Sequence, residues 1–329
     1  RRPPFRRKAP FVAAQSLRGG FLLEMTPGNL MKKSSKRRLE SFGRTISLIS
    51  TTVIVFIVLS ILYFVISKGI STFVTDGVSL GDFLTKSIWN PGTVADDGTP
   101  LVGALPMIAG SFLVTLISAA LATPFAVAAA LFMTEISPKS GKKILQPVIE
   151  LLVGIPSVVY GFIGLTVVVP FVRSLFGGTG FGILSSTLVL FVMILPTVTS
   201  MSVDALNAVP RHYREASLAM GGTRWQTIYK VVLRAATPGL LTAVVFGMAR
   251  AFGEALAVQM VIGNATLMPN SLVTPASTLT SILTMSMGNT VMGTLENNVL
   301  WSLATILLLM ALFFNILTRY IGKKGAVKK

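Results

Sequence analysis

Three charged residues lie within or beside long apolar runs, where charged side chains are rare and usually functional. Arg250 and Glu254 fall in the run 235–262, and Glu150 lies near one end of the run 144–172. An arginine at the centre of a membrane helix costs about 2.5–3.5 kcal/mol on insertion scales. We therefore expect Arg250 to face the interior of a helix bundle, with Glu254 on the same helix face four residues later.

Two interpretations of Arg250 follow from its chemistry. A guanidinium is always charged and offers forked donors that suit an oxyanion. Arg250 would then coordinate an anion on a transport path, with Glu254 holding it in place and keeping binding weak enough for release. Alternatively, Arg250 and Glu254 form a structural ion pair that neutralises itself. Glu150 is a second candidate for pairing or gating along the path.

A polar and basic loop at about 204–234 separates two of the apolar runs. Pro210 suits the first turn of a helix, and residues 211–220 contain no helix breaker. Gly221 and the glycine after it predict a left-handed stop. Thr223 and Gln226 have the spacing of a capping box, which starts a second helix. The 210–234 loop is therefore predicted to be helix, glycine turn, helix.

One side of the first loop helix is small and apolar. Spacing of three and four residues brings together Tyr213, Ala216, Ser217 and Met220. Such a face on a polar loop suggests a socket in another protein. The alternative is a helix that lies on the membrane surface, with Arg211 and Arg214 toward lipid headgroups.

The composition indicates a membrane protein. Of 329 residues, 52% are hydrophobic and only 12% are charged, and mean hydropathy is +0.73. A soluble domain has about 25% charged residues. The net charge of +17 fits membrane topology better than nucleic-acid binding, because the basic residues stand between long apolar runs. With no Cys and a single His, His212, disulfides, thiol chemistry and Cys- or His-cluster metal sites are excluded.

Six apolar runs are each long enough to cross about 30 Å of hydrocarbon. They lie at about 46–67, 103–133, 144–172, 183–203, 235–262 and 298–320. Nearly all Lys and Arg residues then fall on one side, and only Lys68, Lys86 and Arg173 fall on the other. The positive-inside rule places both termini in the cytoplasm. We predict an all-α, multi-pass integral membrane protein.

The predicted domain organisation is a membrane domain at 46–322 between two basic cytoplasmic tails. Residues 1–45 are basic and without clear period, and we expect them to be disordered. Met31 would also make a natural start, which makes 1–30 a candidate start-site extension. Residues 323–329 form the second tail. The outer loops at 69–102 and 263–297 either dock a partner or are solvated connections.

The 210–234 loop resembles a known element. Glu215-Ala216-Ser217-x-x-x-Gly221 is similar to the EAA loop of ABC-importer permeases, through which the membrane subunit meets its ATPase. In that pattern E-A-A-x-x-x-G is followed, after nine residues, by I-x-L-P. Here Ser217 replaces the second Ala, and Arg234 stands in place of Pro. The resemblance implies that coupling to a separate ATPase involves Glu215, Ala216, Ser217, Gly221 and Arg224.

A wider resemblance covers about residues 32–322. The segments 213–228, 154–161 (Gly-Ile-Pro-Ser-Val-Val-Tyr-Gly) and 249–255 (Ala-Arg-Ala-Phe-Gly-Glu-Ala) are together similar to the PstC family of phosphate-importer permeases. This implies a type I importer fold, a PstA-like partner subunit, a PstB-like ATPase dimer and a periplasmic PstS-like phosphate-binding protein. It also implies a transport subunit with no catalytic residues or cofactor of its own.

Other functions remain open from the residues alone. No G-x-x-x-x-G-K-[ST] motif occurs in the sequence, so the energy comes from another polypeptide or from an ion gradient. The same architecture would also transport another oxyanion, such as molybdate or sulfate. The chain could equally be the sister permease subunit of the phosphate importer. A secondary transporter would need an inverted repeat with midplane acids, and no repeat is evident.

Overall fold

The computed structural model describes residues 35–95 and 98–325. The chain divides into two units, residues 1–62 and 63–329. Most of the expected tail at 1–45, including the candidate extension at 1–30, lies outside the described residues. So do positions 326–329 of the other tail.

The first helix starts earlier than the apolar pattern predicts. Helix α1 runs from Ser35 to Val74, so residues 35–45 are helical and the expectation of disorder is wrong for them. Lys, Arg, Leu and Glu form helix readily, and no proline interrupts this stretch. The large apolar side chains of this helix between Phe42 and Ile61 are exposed, which is the surface that lipid requires.

A short helix and a β-hairpin follow α1. Helix α2 (Leu80–Thr85) precedes strand β1 (Trp89–Val94), which pairs antiparallel with β2 (Pro100–Val102). Phe83 and Val102 are buried with Leu279 and Leu300 in one apolar cluster. The 69–102 loop therefore packs against the later helices, although its sequence is polar and rich in turn residues.

The second and third apolar runs form a series of helices with π-helical turns. In chain order these are α3 (Leu105–Leu131), a π turn (Phe132–Ile136), α4 (Pro138–Ser140), a π turn (Gly141–Leu145), α5 (Gln146–Gly154), α6 (Ser157–Ile163), a π turn (Gly164–Val168) and α7 (Val169–Phe176).

A break at 154–156 divides the run expected as one helix. Pro156 biases the residue before it away from helix, and Ile155 is extended, with ψ of 127°. Pro156 also has no N–H to donate to the carbonyl of Leu152. The carbonyl of Leu152 accepts instead from the N–H of Ile155, at 3.4 Å, and from the Tyr160 hydroxyl, at 2.8 Å, so the break leaves this acceptor satisfied.

The remaining helices are, in chain order, α8 (Ile183–Asn207), α9 (Arg211–Ala219), α10 (Arg224–Gln226) with a π turn (Thr227–Val232), α11 (Leu233–Phe252), α12 (Leu256–Ile262), α13 (Leu279–Ser286) with a 3-10 turn (Met287–Asn289), and α14 (Leu295–Gly325). The 210–234 loop thus consists of α9 and α10 followed by the start of a continuous helix. The first residues of the expected C-terminal tail, 323–325, belong to α14.

Six helices in the described part of the chain are long and apolar enough to cross a membrane, as predicted. They are Glu40–Val74, Leu105–Ile136, Ser157–Phe176, Ile183–Asn207, Arg224–Phe252 and Leu295–Gly322, called spans one to six below. Span three starts later than expected because of the break at Pro156. Span five starts earlier and ends ten residues earlier, at Phe252 rather than at 262.

The spans pack through small residues and a shared apolar core. Helices α3, α8 and α11 contact one another, and α14 packs on α11. The two half-helices α6 and α12 also pack together, where a Cβ on Gly161 would lie 3.0 Å from the Cα of Ala257. Small residues permit such close approach in membranes.

The 263–297 loop turns back into the protein. Ser277, Thr278 and Leu279 are buried, and the N–H of Leu279 donates to Ser111 on α3. Thr278 and Ser281 form a capping box that starts α13. This loop is therefore more than a solvated connection.

Candidate functional site

The 210–234 loop folds as its sequence predicts. Helix α9 ends at Ala219, and Gly221 takes a left-handed conformation with φ of 80°. The N–H of Gly222 then bonds the carbonyl of Ser217 at 3.0 Å, which satisfies the end of the helix. The sharp reversal of the chain depends on a glycine at 221 because a side chain is strained there.

The second loop helix begins at the predicted capping box and continues without interruption. Thr223 accepts from the N–H of Gln226, and the Gln226 side chain accepts from the N–H of Thr223. The helix then passes through a π turn into α11. Arg234 stands where the EAA pattern has proline, and an arginine can donate its backbone N–H, so the helix remains unbroken from Arg224 to Phe252.

A groove lies along the small face of α9. It has a volume of about 520 Å³ and is lined by Tyr213, Ala216, Ser217, Met220, Gly222, Gln226, Lys230 and Val231. The hydroxyls of Ser217 and Thr227 bond at 2.8 Å across the two helices and fix their relative position. Met220 is 89% exposed at the edge of this groove. The predicted face is therefore an open concave surface.

Arg214 on α9 forms an ion pair with Glu135. Glu135 belongs to the π turn at the end of span two, 79 residues away in the chain. Arg214 Nε and Nη2 donate to Glu135 Oε1 at 3.1 and 2.5 Å. The other described ion pair, Lys86 with Asp82, is about half exposed and lies within one helical region.

A polar cleft of about 770 Å³ opens beside this pair. Its lining includes Glu135, Glu150, Asp204, Arg211, Glu215 and Arg224. Glu150 is exposed there and accepts from Gln146 at 3.0 Å. The cleft therefore brings Glu150 and Glu215 to one surface, whereas Arg250 does not line it.

Arg250 lies at the end of a helix and not at the centre of a span. It occupies the last turn of α11, where the helix dipole favours a cation. Its Nη1 donates to Thr197 Oγ1 on α8. Arg250 thus joins the end of α11 to α8.

Glu254 lies in a second break, residues 253–255 between α11 and α12, and stabilises it. Its Oε1 accepts from the N–H of Ala257 in the first turn of α12, at 3.2 Å. Its backbone carbonyl accepts from the Thr280 hydroxyl at 2.8 Å. A cavity of about 10 Å³ beside it is lined in part by Ser111, Thr115, Thr278 and Thr280. Glu254 therefore caps a helix and stabilises an irregular segment.

The expected pairing of Arg250 with Glu254 is wrong. Among the described residues, the ion pairs are Lys86–Asp82 and Arg214–Glu135. The four-residue spacing places two side chains together only on a continuous helix, and α11 ends at Phe252. Arg250 therefore turns to Thr197, and Glu254 turns to the start of α12.

The predicted site residues form two separate groups. The first group is at the 210–234 loop and the cleft beside it: Glu215, Ala216, Ser217, Gly221, Arg224 and Glu150. In the second group, Arg250 lies in the last turn of α11 and Glu254 in the second break. Sequence reasoning missed Glu135 and Thr197. An acid that directly follows a long apolar run was the available signal for Glu135, and a threonine within an apolar helix is no signal for Thr197.

Comparison with protein families identifies the type of chain. Residues 122–325 match the model of the binding-protein-dependent transport system inner membrane component. The chain is 52% identical over 300 residues to the probable ABC transporter permease protein YqgH of Bacillus subtilis, covering 91% of this chain and 96% of that one. It is 33% identical over 258 residues to the phosphate transport system permease protein PstC of Mesorhizobium japonicum, covering 72% and 77%.

Solved structures agree on the fold. A chain of the MetNI methionine ABC transporter in an inward-facing conformation matches with a TM-score of 0.51 and 20% identity, over 67% of this chain and 94% of that chain. A chain of a bacterial alginate ABC transporter matches with a TM-score of 0.54 and 14% identity, over 89% and 99%. The predicted type I importer fold is thus confirmed.

The separation of Arg250 from Glu254 can be tested by a double-mutant cycle on thermal unfolding of the purified protein. We expect Glu254→Ala to cost about 1 kcal/mol, as loss of a helix cap does. Glu254→Gln keeps an acceptor oxygen and should cost less. The effects of Arg250→Gln and Glu254→Gln should add to within about 0.5 kcal/mol. A larger coupling energy would mean that the two side chains pair after all.

Proposed function

The chain belongs to the family of binding-protein-dependent transport system inner membrane components, and from this premise we propose that it forms half of the path for inorganic phosphate in an ATP-driven importer. The observation that supports phosphate as the cargo is similarity to permeases named for phosphate transport, at 33% identity to the Mesorhizobium protein and 30% to that of Haemophilus influenzae. The second half of the path would come from a PstA-like subunit.

The proposed energy source is a separate PstB-like ATPase dimer that docks on the groove of the 210–234 loop. The groove is concave and partly apolar, and the exposed Met220 is part of its lining. Exposed apolar surface of this kind suits a protein partner. Glu215 and Ala216 are exposed beside it. Ser217 and Gly221 fix the turn that shapes the groove, and Arg224 joins the turn to span two.

The proposed anion contact on the path is Arg250. Among the described residues its hydrogen bond is to Thr197, made by one of its terminal nitrogens. The rest of the guanidinium fork is then free to donate to phosphate oxygens. Glu254 shapes the break next to it and does not neutralise it. Glu150, in the cleft beside the loop, would meet the anion only near the end of its passage.

The proposed orientation follows from the charges. Arg211, Arg224 and Lys230 lie at the loop end of the spans, whereas Lys86 and Arg173 lie at the other end. The positive-inside rule assigns the loop to the cytoplasm and both termini with it. The 46–322 region would then be the permease domain of a bacterial inner-membrane importer, and the outer loops would face a PstS-like binding protein.

The function is tested with the purified complex in liposomes. We expect phosphate-loaded binding protein to stimulate ATP hydrolysis more than molybdate-loaded or empty binding protein. Equal stimulation by molybdate would assign the path to oxyanions in general. Uptake driven by an ion gradient without ATP would contradict the proposal. Co-purification with a PstC-like chain in place of a PstA-like one would identify the sister subunit.

Substitution of Arg250 tests the anion contact. We expect Arg250→Gln to abolish phosphate uptake while the subunit still assembles, because glutamine keeps donors but brings no charge to the path. Arg250→Lys, which keeps the charge but loses the fork, should retain partial uptake. Uptake assays in liposomes and co-purification check both variants. Normal uptake by Arg250→Gln would contradict the proposed contact between Arg250 and the anion.

Substitution of Gly221 tests the docking surface. We expect Gly221→Asp to uncouple ATP hydrolysis from uptake, since it adds a negative charge at the turn that shapes the groove. Gly221→Asn is the matched control, because asparagine has the same size, tolerates the left-handed conformation and is neutral. If Gly221→Asp co-purifies with the ATPase and transports normally, the docking assignment fails.

A further inference from the structure

Arg214 ties the first loop helix to two other elements. Its Nε and Nη2 donate to the Glu135 carboxylate of span two. Its Nη1 donates to the carbonyl of Val209 at 2.7 Å, and Nη2 also donates to that of Leu206 at 3.1 Å. These carbonyls lie at or just after the end of α8, where helix carbonyls lack partners. One side chain thus joins α9 to the ends of spans two and four.

Glu135 also contacts the second loop helix. Arg224 Nη2 donates to the backbone carbonyl of Glu135 at 3.3 Å. The π turn around Glu135 therefore receives one arginine from each helix of the 210–234 loop. The loop directly follows span four and leads directly into span five, and Glu135 adds span two, which is not adjacent to the loop in sequence.

Burial makes this contact stronger than an ordinary surface pair. The side chains of Arg214 and Glu135 are 22% and 11% exposed, whereas those of Lys86 and Asp82 are 42% and 48% exposed. Charge-assisted forked bonds at a partly buried position hold a fixed geometry, and an exposed pair contributes little. Removing the charge of Glu135 would leave the Arg214 guanidinium without its counter-ion.

We propose that Glu135 is a positioning residue that carries movement of the 210–234 loop into span two. This inference rests on the proposed function, because the loop moves only if an ATPase docks on it. With the pair intact, spans two, four and five move with the loop as one body. Without the pair, the loop moves only spans four and five, and ATP is hydrolysed without full opening of the path.

The coupling ratio, phosphate transported per ATP hydrolysed, tests this role in the assembled transporter. We expect Glu135→Gln to lower the ratio about fivefold or more, with normal co-purification of the ATPase. Glu135→Asp keeps the charge but moves it one methylene further from Arg214, and this variant should retain a higher coupling ratio than Glu135→Gln. Asp82→Asn breaks the exposed ion pair and serves as the matched control, with an unchanged ratio. An unchanged ratio in the assembled Glu135→Gln transporter would overturn the proposal.

A distance measurement separates this inference from the proposed function. The chain has no cysteine, so spin labels can be placed on cysteines at Lys139 and His212, both exposed, near the end of span two and at the start of α9. We expect a narrow distance distribution in the resting complex and a broad one in Glu135→Gln. Equal widths would contradict the positioning role. Absence of phosphate-stimulated hydrolysis in the unchanged complex would contradict the proposed function, and the distances would still decide the role of Glu135.

Discussion

Peptide groups that leave a helix inside hydrocarbon have no water to bond, so every break in a membrane helix needs a partner from elsewhere in the protein. Two breaks in this chain follow that rule. The carbonyl of Leu152, to which Pro156 has no N–H to donate, accepts from the N–H of Ile155 and from the Tyr160 hydroxyl. The carbonyl of Glu254 accepts from Thr280, and its carboxylate caps α12. The 263–297 loop turns inward to supply Thr280, so the packing of that loop and the break in span five depend on each other.

The same constraint determines the setting of Arg250. A helix that ends at Phe252 places a negative dipole end beside the guanidinium, and Thr197 takes one of its donors. Because the acid four residues later caps α12, the positive charge is not cancelled within the described part of the chain. A cation oriented by a neutral partner suits transient contact with an anion better than a closed ion pair does.

At the other end of span five, polar contacts join elements that are distant in sequence. The 210–234 loop combines a turn and capping box set by local sequence with an ion pair to Glu135 that spans 79 residues. The unbroken helix from Arg224 to Phe252 links this end to the position of Arg250. Movement of the loop would therefore reach the position of Arg250, the proposed anion contact, along one continuous helix, while Arg214 and Glu135 would couple span two to the loop.

The sequence by itself determined the features that depend on neighbouring residues. Apolar run length specified six spans, Gly221 specified the left-handed turn, and Thr223 with Gln226 specified the capping box. Tertiary structure decided what depends on distant partners. No proline marks the end of α11 in the sequence, and the break that follows is stabilised by Thr280, which is distant in the chain. The expected pair of Arg250 and Glu254 does not form because this break separates the two residues. Glu135 meets Arg214 only because folding brings the end of span two next to α9. An ion pair between remote segments leaves no periodic pattern in the chain.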